Sequence, residues 1–130
     1  YGHLIGDEVL LLLSRLMRAS FRFHDRLYRF GGEEFVVLLR CASDSHARRA
    51  FERLRAATER YAFPQVGRIT VSIGFTDVRM GDNPSVAFER ADKAVYWAKA
   101  HGRNLVAEHA ALVARGELLE GQKTGDVELF

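Results

Sequence analysis

The chain has 130 residues, 48% hydrophobic and 28% charged, so it is one domain with material for a real core and is not a disordered chain. Its net charge of +2 and pI near 8.9 tolerate an anionic ligand but give no charge-based case for a nucleic acid polymer. A single cysteine, Cys41, excludes an internal disulfide and fits a reducing compartment, and the longest all-apolar runs, such as Val9 to Leu13, are far too short to span a bilayer.

The first element is a helix with Asp7 as its candidate N-cap, running to about Ala19. Leu10, Leu13, Leu16 and Met17 form its buried stripe. A β-hairpin follows from about Arg26 to Leu39, turning at Gly31-Gly32. Its second strand, Phe35 to Leu39, is apolar on both faces and is expected to be central and covered. Ser43 to Ser45 offer N-caps for a second helix to about Arg60, with Ala47, Ala50, Phe51, Leu54 and Ala57 on one face. Residues Phe63 to Gly67 read as a loop. Ile69, Val71, Ile73 and Phe75 then alternate with Thr70, Ser72, Gly74 and Thr76, which predicts a strand.

Met80 to Asn83 turn the chain, and Pro84 suits the first turn of a third helix. That helix carries Phe88, Ala91, Ala94, Val95 and Ala98 on one face and stops at Gly102. Leu105-Val106-Ala107 is a short last strand. Residues 1–109 are thus read as the domain and 110–130 as a C-terminal extension, with a short helix from Ala110 to Leu119 and an edge strand from Asp126 to Phe130. The element order predicts an α+β fold, with helices packed on an antiparallel-rich central sheet.

The hairpin carries the chemistry. Immediately after Gly31-Gly32 come two carboxylates, Glu33 and Glu34. Glycines remove Cβ atoms and let a bulky ligand approach the backbone. Carboxylate oxygens are hard ligands that suit Mg²⁺, the usual escort of nucleotide phosphates. A surface turn with solvated glutamates accounts for the same residues equally well when the hairpin is taken alone.

Its surroundings separate the two. Gly31-Gly32-Glu33-Glu34-Phe35 resembles the signature of the GGDEF family, the diguanylate cyclases, in its GGEEF form. Tyr1 to Leu10 resembles the block that opens the family's helix. Arg22-Phe23-His24-Asp25 resembles its RxxD inhibitory motif, with five residues between Asp25 and Gly31 as in the family. Thr70 to Gly74 resembles its later core strand, and Arg90 to Asn104 its last helix and exit loop. The shared order and spacing covers nearly the whole chain.

The resemblance implies the nucleotidyl cyclase and polymerase-palm fold. It also implies that a first strand and helix are absent from this chain. They carry a metal-binding Asp and a guanine-reading Asn, and the strand sits in the middle of the sheet. No signal peptide is visible, and a chain that opens at Tyr1 reads as a piece of something longer.

The implied activity joins two GTP molecules into cyclic di-GMP and pyrophosphate, with two domains facing each other in a homodimer and Mg²⁺ (or Mn²⁺) as cofactor. By motif, Glu33 is a metal ligand, and Glu34 is a second ligand or assists deprotonation of the 3′-hydroxyl. Gly31 and Gly32 let the nucleotide lie against the backbone. Asp7 accepts from the guanine Watson–Crick edge. Lys99 and Arg103, four apart and expected on one face near a helix end, hold the terminal phosphates. Arg22 and Asp25 form the inhibitory product site, with Arg53 as a second inhibitory arginine.

Each of these residues also has a plain structural reading. Asp7 can cap a helix, Lys99 can complement a helix C-terminus, Arg103 can be solvated, and Arg22 with Asp25 can be an exposed ion pair worth roughly 0–1 kcal/mol. The five histidines show no metal-ligand spacing, Cys41 lacks a nearby base, and Tyr96 and Trp97 are expected to pack. The alternative function is a cyclic di-GMP-binding module without catalysis. The absent segment favours that alternative for this stretch of chain, which is then expected to bind cyclic di-GMP better than it converts GTP. A regulatory domain is expected upstream, the location is cytoplasmic, and neither a nucleic acid polymer nor a membrane is contacted.

Overall fold

The computed structural model describes residues 3–21, 26–29, 34–39 and 43–119. They fall into two units, residues 1–71 and 72–130.

In the first unit, α1 (His3–Ser20) packs on α2 (Asp44–Arg60). Leu13 and Met17, one turn apart on α1, are buried, as are Ala47, Ala50, Phe51 and Leu54 on α2. Burying such a Leu, Met or Phe contributes about 1.5–3 kcal/mol each. The Phe21 ring meets Phe51 edge-on, with centroids 5.9 Å apart. Ser43 caps α2 as expected, its hydroxyl oxygen accepting the His46 N–H at 3.2 Å. Thr58 is fully buried inside α2 because its hydroxyl donates to the Leu54 carbonyl at 2.8 Å. On the wet side, Arg55 bridges Glu52 and Glu59 at 2.6 and 3.0 Å. Strands β1 (Arg26–Arg29) and β2 (Phe35–Leu38) pair antiparallel, from Arg26 opposite Leu38 to Arg29 opposite Phe35.

In the second unit, β3 (Ile73–Phe75) and β4 (Val106–Glu108) pair in parallel, with α3 (Pro84–Ala100) as the crossover that parallel strands require. Asn83 caps α3, accepting the Val86 N–H at 2.9 Å, and Pro84 stands in the first turn. Gly74 lets β3 lie directly under the helix: a Cβ there would stand 2.4 Å from the Ala91 carbonyl oxygen and 2.4 Å from the Val95 nitrogen. Ala94, Ala98, Ala107 and Leu112 form the core, with Trp97, Leu105 and Leu118 packed around them. α4 (His109–Ala114) follows β4 directly and buries His109 and Leu112.

Among the described residues of this unit, Arg90 carries a buried charge. Its guanidinium donates to both carboxylate oxygens of Asp82, to the Thr76 hydroxyl at 3.1 Å and to the Asp77 carbonyl at 2.9 Å. Asp82 also accepts the Arg79 backbone N–H at 2.7 Å. The Arg90 hydrogen bonds, followed by that backbone bond, lower the Asp82 carboxyl from 3.8 to about 2. The loop after β3 is thereby tied to α3.

The α+β class holds, but several expectations do not. The described residues do not confirm an antiparallel-rich sheet: they show one antiparallel strand pair, one parallel strand pair and an antiparallel bridge between Phe63 and Gly67. The strand expected from Ile69 is confined to Ile73–Phe75, because its partner β4 is three residues long and cannot pair with more. β2 is only half-buried, with Leu38 50% exposed, since one strand alone pairs with it among the described residues. Phe88 and Tyr96 lie towards solvent on α3, Tyr96 at 77% exposure, because the Ala94–Ala98 stripe is the side turned to the core. Asp7 does not cap α1: the helix opens at His3, and Gly6, which costs about 1 kcal/mol in a helix, does not stop it. The edge strand expected at 126–130 lies outside the described residues.

Candidate functional site

The hairpin register fixes where the carboxylates stand along the chain. Arg29 opposite Phe35 is the last pair, so residues 30–34 make the connection. Glu34 is its final residue, exposed and immediately ahead of β2. Gly31, Gly32 and Glu33 lie outside the described residues, as do Arg22 and Asp25 between α1 and β1. Asp7 sits within α1. Arg53 is exposed on α2, at the flank of the face that buries Ala50 and Leu54.

The positive groups belong to the second unit. Lys99 is in the last turn of α3 and exposed. Arg103 does not share a helical face with it, contrary to the spacing argument. α3 ends at Ala100, and the chain leaves through Gly102, Arg103 and Asn104 at φ 110°, 61° and 55°. Gly102 is the left-handed C-terminal stop that glycine permits. Arg103 reaches back through its backbone, its N–H donating to the Ala98 carbonyl at 2.9 Å, the six-residue closure of a Schellman turn. Asn104 donates its N–H to the Ser72 hydroxyl at 3.2 Å.

Two cations therefore flank the carbonyl end of α3, where the helix dipole favours positive charge. No ion pair joins either to a carboxylate among the described residues. A guanidinium fork and an ammonium are both groups that bind phosphate. In the first unit, Glu34 with its sequence neighbour Glu33 supplies oxygen donors. No cluster of three or more His, Cys, Asp or Glu occurs among the described residues. That sparse set fits Mg²⁺, which takes one or two carboxylates and completes its shell with water and substrate phosphates.

Reading the sequence missed two features. The Arg90–Asp82 clamp has no local signal, because eight residues and a turn separate the partners. The Ser72–Asn104 bond does have a signal: Asn after Gly tolerates left-handed backbone, so Gly102-Arg103-Asn104 announces an unusual turn.

Residues 1–105 match the family described as diguanylate cyclase, GGDEF domain. The chain is 44% identical over 107 residues to the diguanylate cyclase DgcP of Pseudomonas aeruginosa, covering 80% of this chain and 16% of that protein. It is 37% identical over 110 residues to diguanylate cyclase A of Treponema denticola, covering 82% and 30%, and 38% identical over 117 residues to the response regulator PleD of Caulobacter vibrioides, covering 85% and 26%. The chain thus spans less than a third of these relatives' length. Among solved structures it is similar to the GGDEF domain of DgcB from Caulobacter crescentus in complex with c-di-GMP, with TM-score 0.79 and 28% identity over 85% of this chain and 68% of that one. It is also similar to the active GGEEF domain of a diguanylate cyclase from Vibrio cholerae, with TM-score 0.76 and 32% identity over 84% and 71%.

Proposed function

Because this chain belongs to the GGDEF family of diguanylate cyclase domains, we propose that it is the nucleotide-condensing domain of a longer enzyme that makes cyclic di-GMP and pyrophosphate from two GTP. The observation that carries this reading is the family match across residues 1–105, which takes in an unbroken Gly31-Gly32-Glu33-Glu34-Phe35, together with relatives named as diguanylate cyclases.

Each GTP offers its 3′-hydroxyl to the α-phosphate of the other. A new O3′–P bond forms, the bond between the α-phosphorus and the bridging oxygen breaks, and pyrophosphate leaves. The hydroxyl proton passes to Glu34 or to solvent. Gly31 and Gly32 give the nucleotide room against the backbone. Glu33 and Glu34 would hold Mg²⁺ (or Mn²⁺), which when bound supplies charge neutralisation at the phosphates. Asp7 accepts from guanine N1–H and N2–H₂. Lys99 and Arg103 bind the terminal phosphates and hold them against departure in the wrong direction. The protein's part is chiefly positioning and electrostatics.

One domain holds one GTP, so two copies face each other as a homodimer. Residues 1–109 are the catalytic domain and 110–130 an extension of it. Signal input comes from a domain upstream. Among the described residues no helix is long and apolar enough to cross a membrane. A GTP substrate and a lone cysteine suit the cytoplasm.

A second reading has its own support, since the DgcB structure is a complex with c-di-GMP. Arg22, Asp25 and Arg53 bind the product and restrain the enzyme. The same residues would serve a module that senses the product without making it. The catalytic reading is tested by Glu33→Ala in the full-length protein. Synthesis should fall by about 10²–10³-fold or more, with unchanged circular dichroism. A folded variant that keeps normal synthesis would remove Glu33 from the site.

A further inference from the structure

Arg103 occupies backbone that side-chain-bearing residues seldom adopt, at φ 61°, and Asn104 follows it at φ 55°. Two anchors hold this turn. On one side the Arg103 N–H is bonded to the Ala98 carbonyl in the last turn of α3. On the other, the Asn104 N–H is bonded to the Ser72 hydroxyl, one residue ahead of β3. The next ladder bond, Ile73 N–H to the Leu105 carbonyl at 2.8 Å, continues the same seam. Left-handed backbone at Arg103 sets the direction in which its guanidinium leaves the chain. The Ser72 bond thus falls on the residue next to Arg103, where it bears on the backbone from which that side chain departs.

We propose that Ser72 is a positioning residue for phosphate recognition: its hydroxyl, by taking the Asn104 N–H, holds the left-handed exit turn of α3 that aims Arg103 beside Lys99. The proposal rests on the reading of Arg103 as a phosphate ligand. It assigns Ser72 no contact with the nucleotide. Alanine at position 72 removes the hydroxyl that accepts the Asn104 N–H, whereas threonine keeps the hydroxyl and suits extended backbone.

The test is calorimetry on the intact chain with GTP and with GMP, both in Mg²⁺, for the unaltered protein, Ser72→Ala, Ser72→Thr, Arg103→Ala and the Ser72→Ala/Arg103→Ala double variant. Ser72→Ala should weaken GTP binding about tenfold, the loss of roughly one charge-assisted hydrogen bond, and leave GMP binding unchanged. Ser72→Thr should restore GTP affinity. The double variant should bind GTP no more weakly than Arg103→Ala alone, because Ser72 acts through Arg103. A Ser72→Ala chain that binds GTP normally, or loses GTP and GMP alike, overturns the proposal, as does an additive double variant. If Arg103→Ala leaves GTP affinity intact, or the unaltered chain binds no GTP, the reading of Arg103 itself fails and this proposal falls with it.

Discussion

Arg90 shows how far a single residue can organise its surroundings. One guanidinium satisfies the Asp82 carboxylate, the Thr76 hydroxyl and the Asp77 carbonyl. Removing either charged partner would strand the other in a half-dry site. The Asp82 carboxyl sits at about 2, below its ordinary 3.8, so its native form binds protons more weakly than its unfolded form. Stability from this pair is therefore fully present above pH 3.8 and fades as pH falls towards 2. Asp82→Asn should lower the melting temperature near neutral pH, and the gap between variant and parent should narrow as pH drops through that window. A gap independent of pH would mean that the carboxylate charge does not hold the loop. None of this was legible in the sequence, where Asp82 reads as an ordinary turn residue. Arg22, outside the described residues, is proposed as a product ligand on its motif alone. Calorimetry with cyclic di-GMP should show about tenfold weaker binding for Arg22→Ala, since one fork can make two parallel hydrogen bonds. Unchanged affinity in Arg22→Ala and in Asp25→Ala would place the product elsewhere.

Elements were legible where a residue has a single strong job. Ser43 caps α2 because its short side-chain oxygen reaches back to a free N–H group, Pro84 stands in the first turn of α3 as expected, and Gly102 ends α3 because it accepts left-handed backbone. Strand length was not legible. The alternation from Ile69 to Phe75 continues beyond the ladder, because periodicity records which faces are apolar and not how long the partner is. Tyr96 failed for a related reason: an aromatic inside an alanine-rich helix looks like packing until the alanines prove small enough to sit against the sheet themselves. Gly74 makes that close approach possible. Gly74→Ala would drive a methyl group into the α3 backbone at Ala91 and Val95, atoms that cannot swing aside. It should cost about 1–3 kcal/mol or more, visible as a lower denaturant midpoint. A midpoint equal to the parent's would show that α3 can lift off β3 without penalty.

At the scale of the molecule, family membership was legible because motifs scattered from Tyr1 to Asn104 keep one order, and residues 1–105 carry the family match. The proposed reaction, between two nucleotides held on two domains, would make each active site half of a pair, so the specific rate should depend on protein concentration. The central claim is tested most directly by incubating the full-length protein with GTP and Mg²⁺, then quantifying nucleotide products by chromatography across a dilution series. One cyclic di-GMP and two pyrophosphates are expected for every two GTP consumed, with a specific rate that falls as the protein is diluted into monomers. GTP left unconverted, GDP and phosphate as the products, or a specific rate unchanged in demonstrably monomeric protein would contradict the claim.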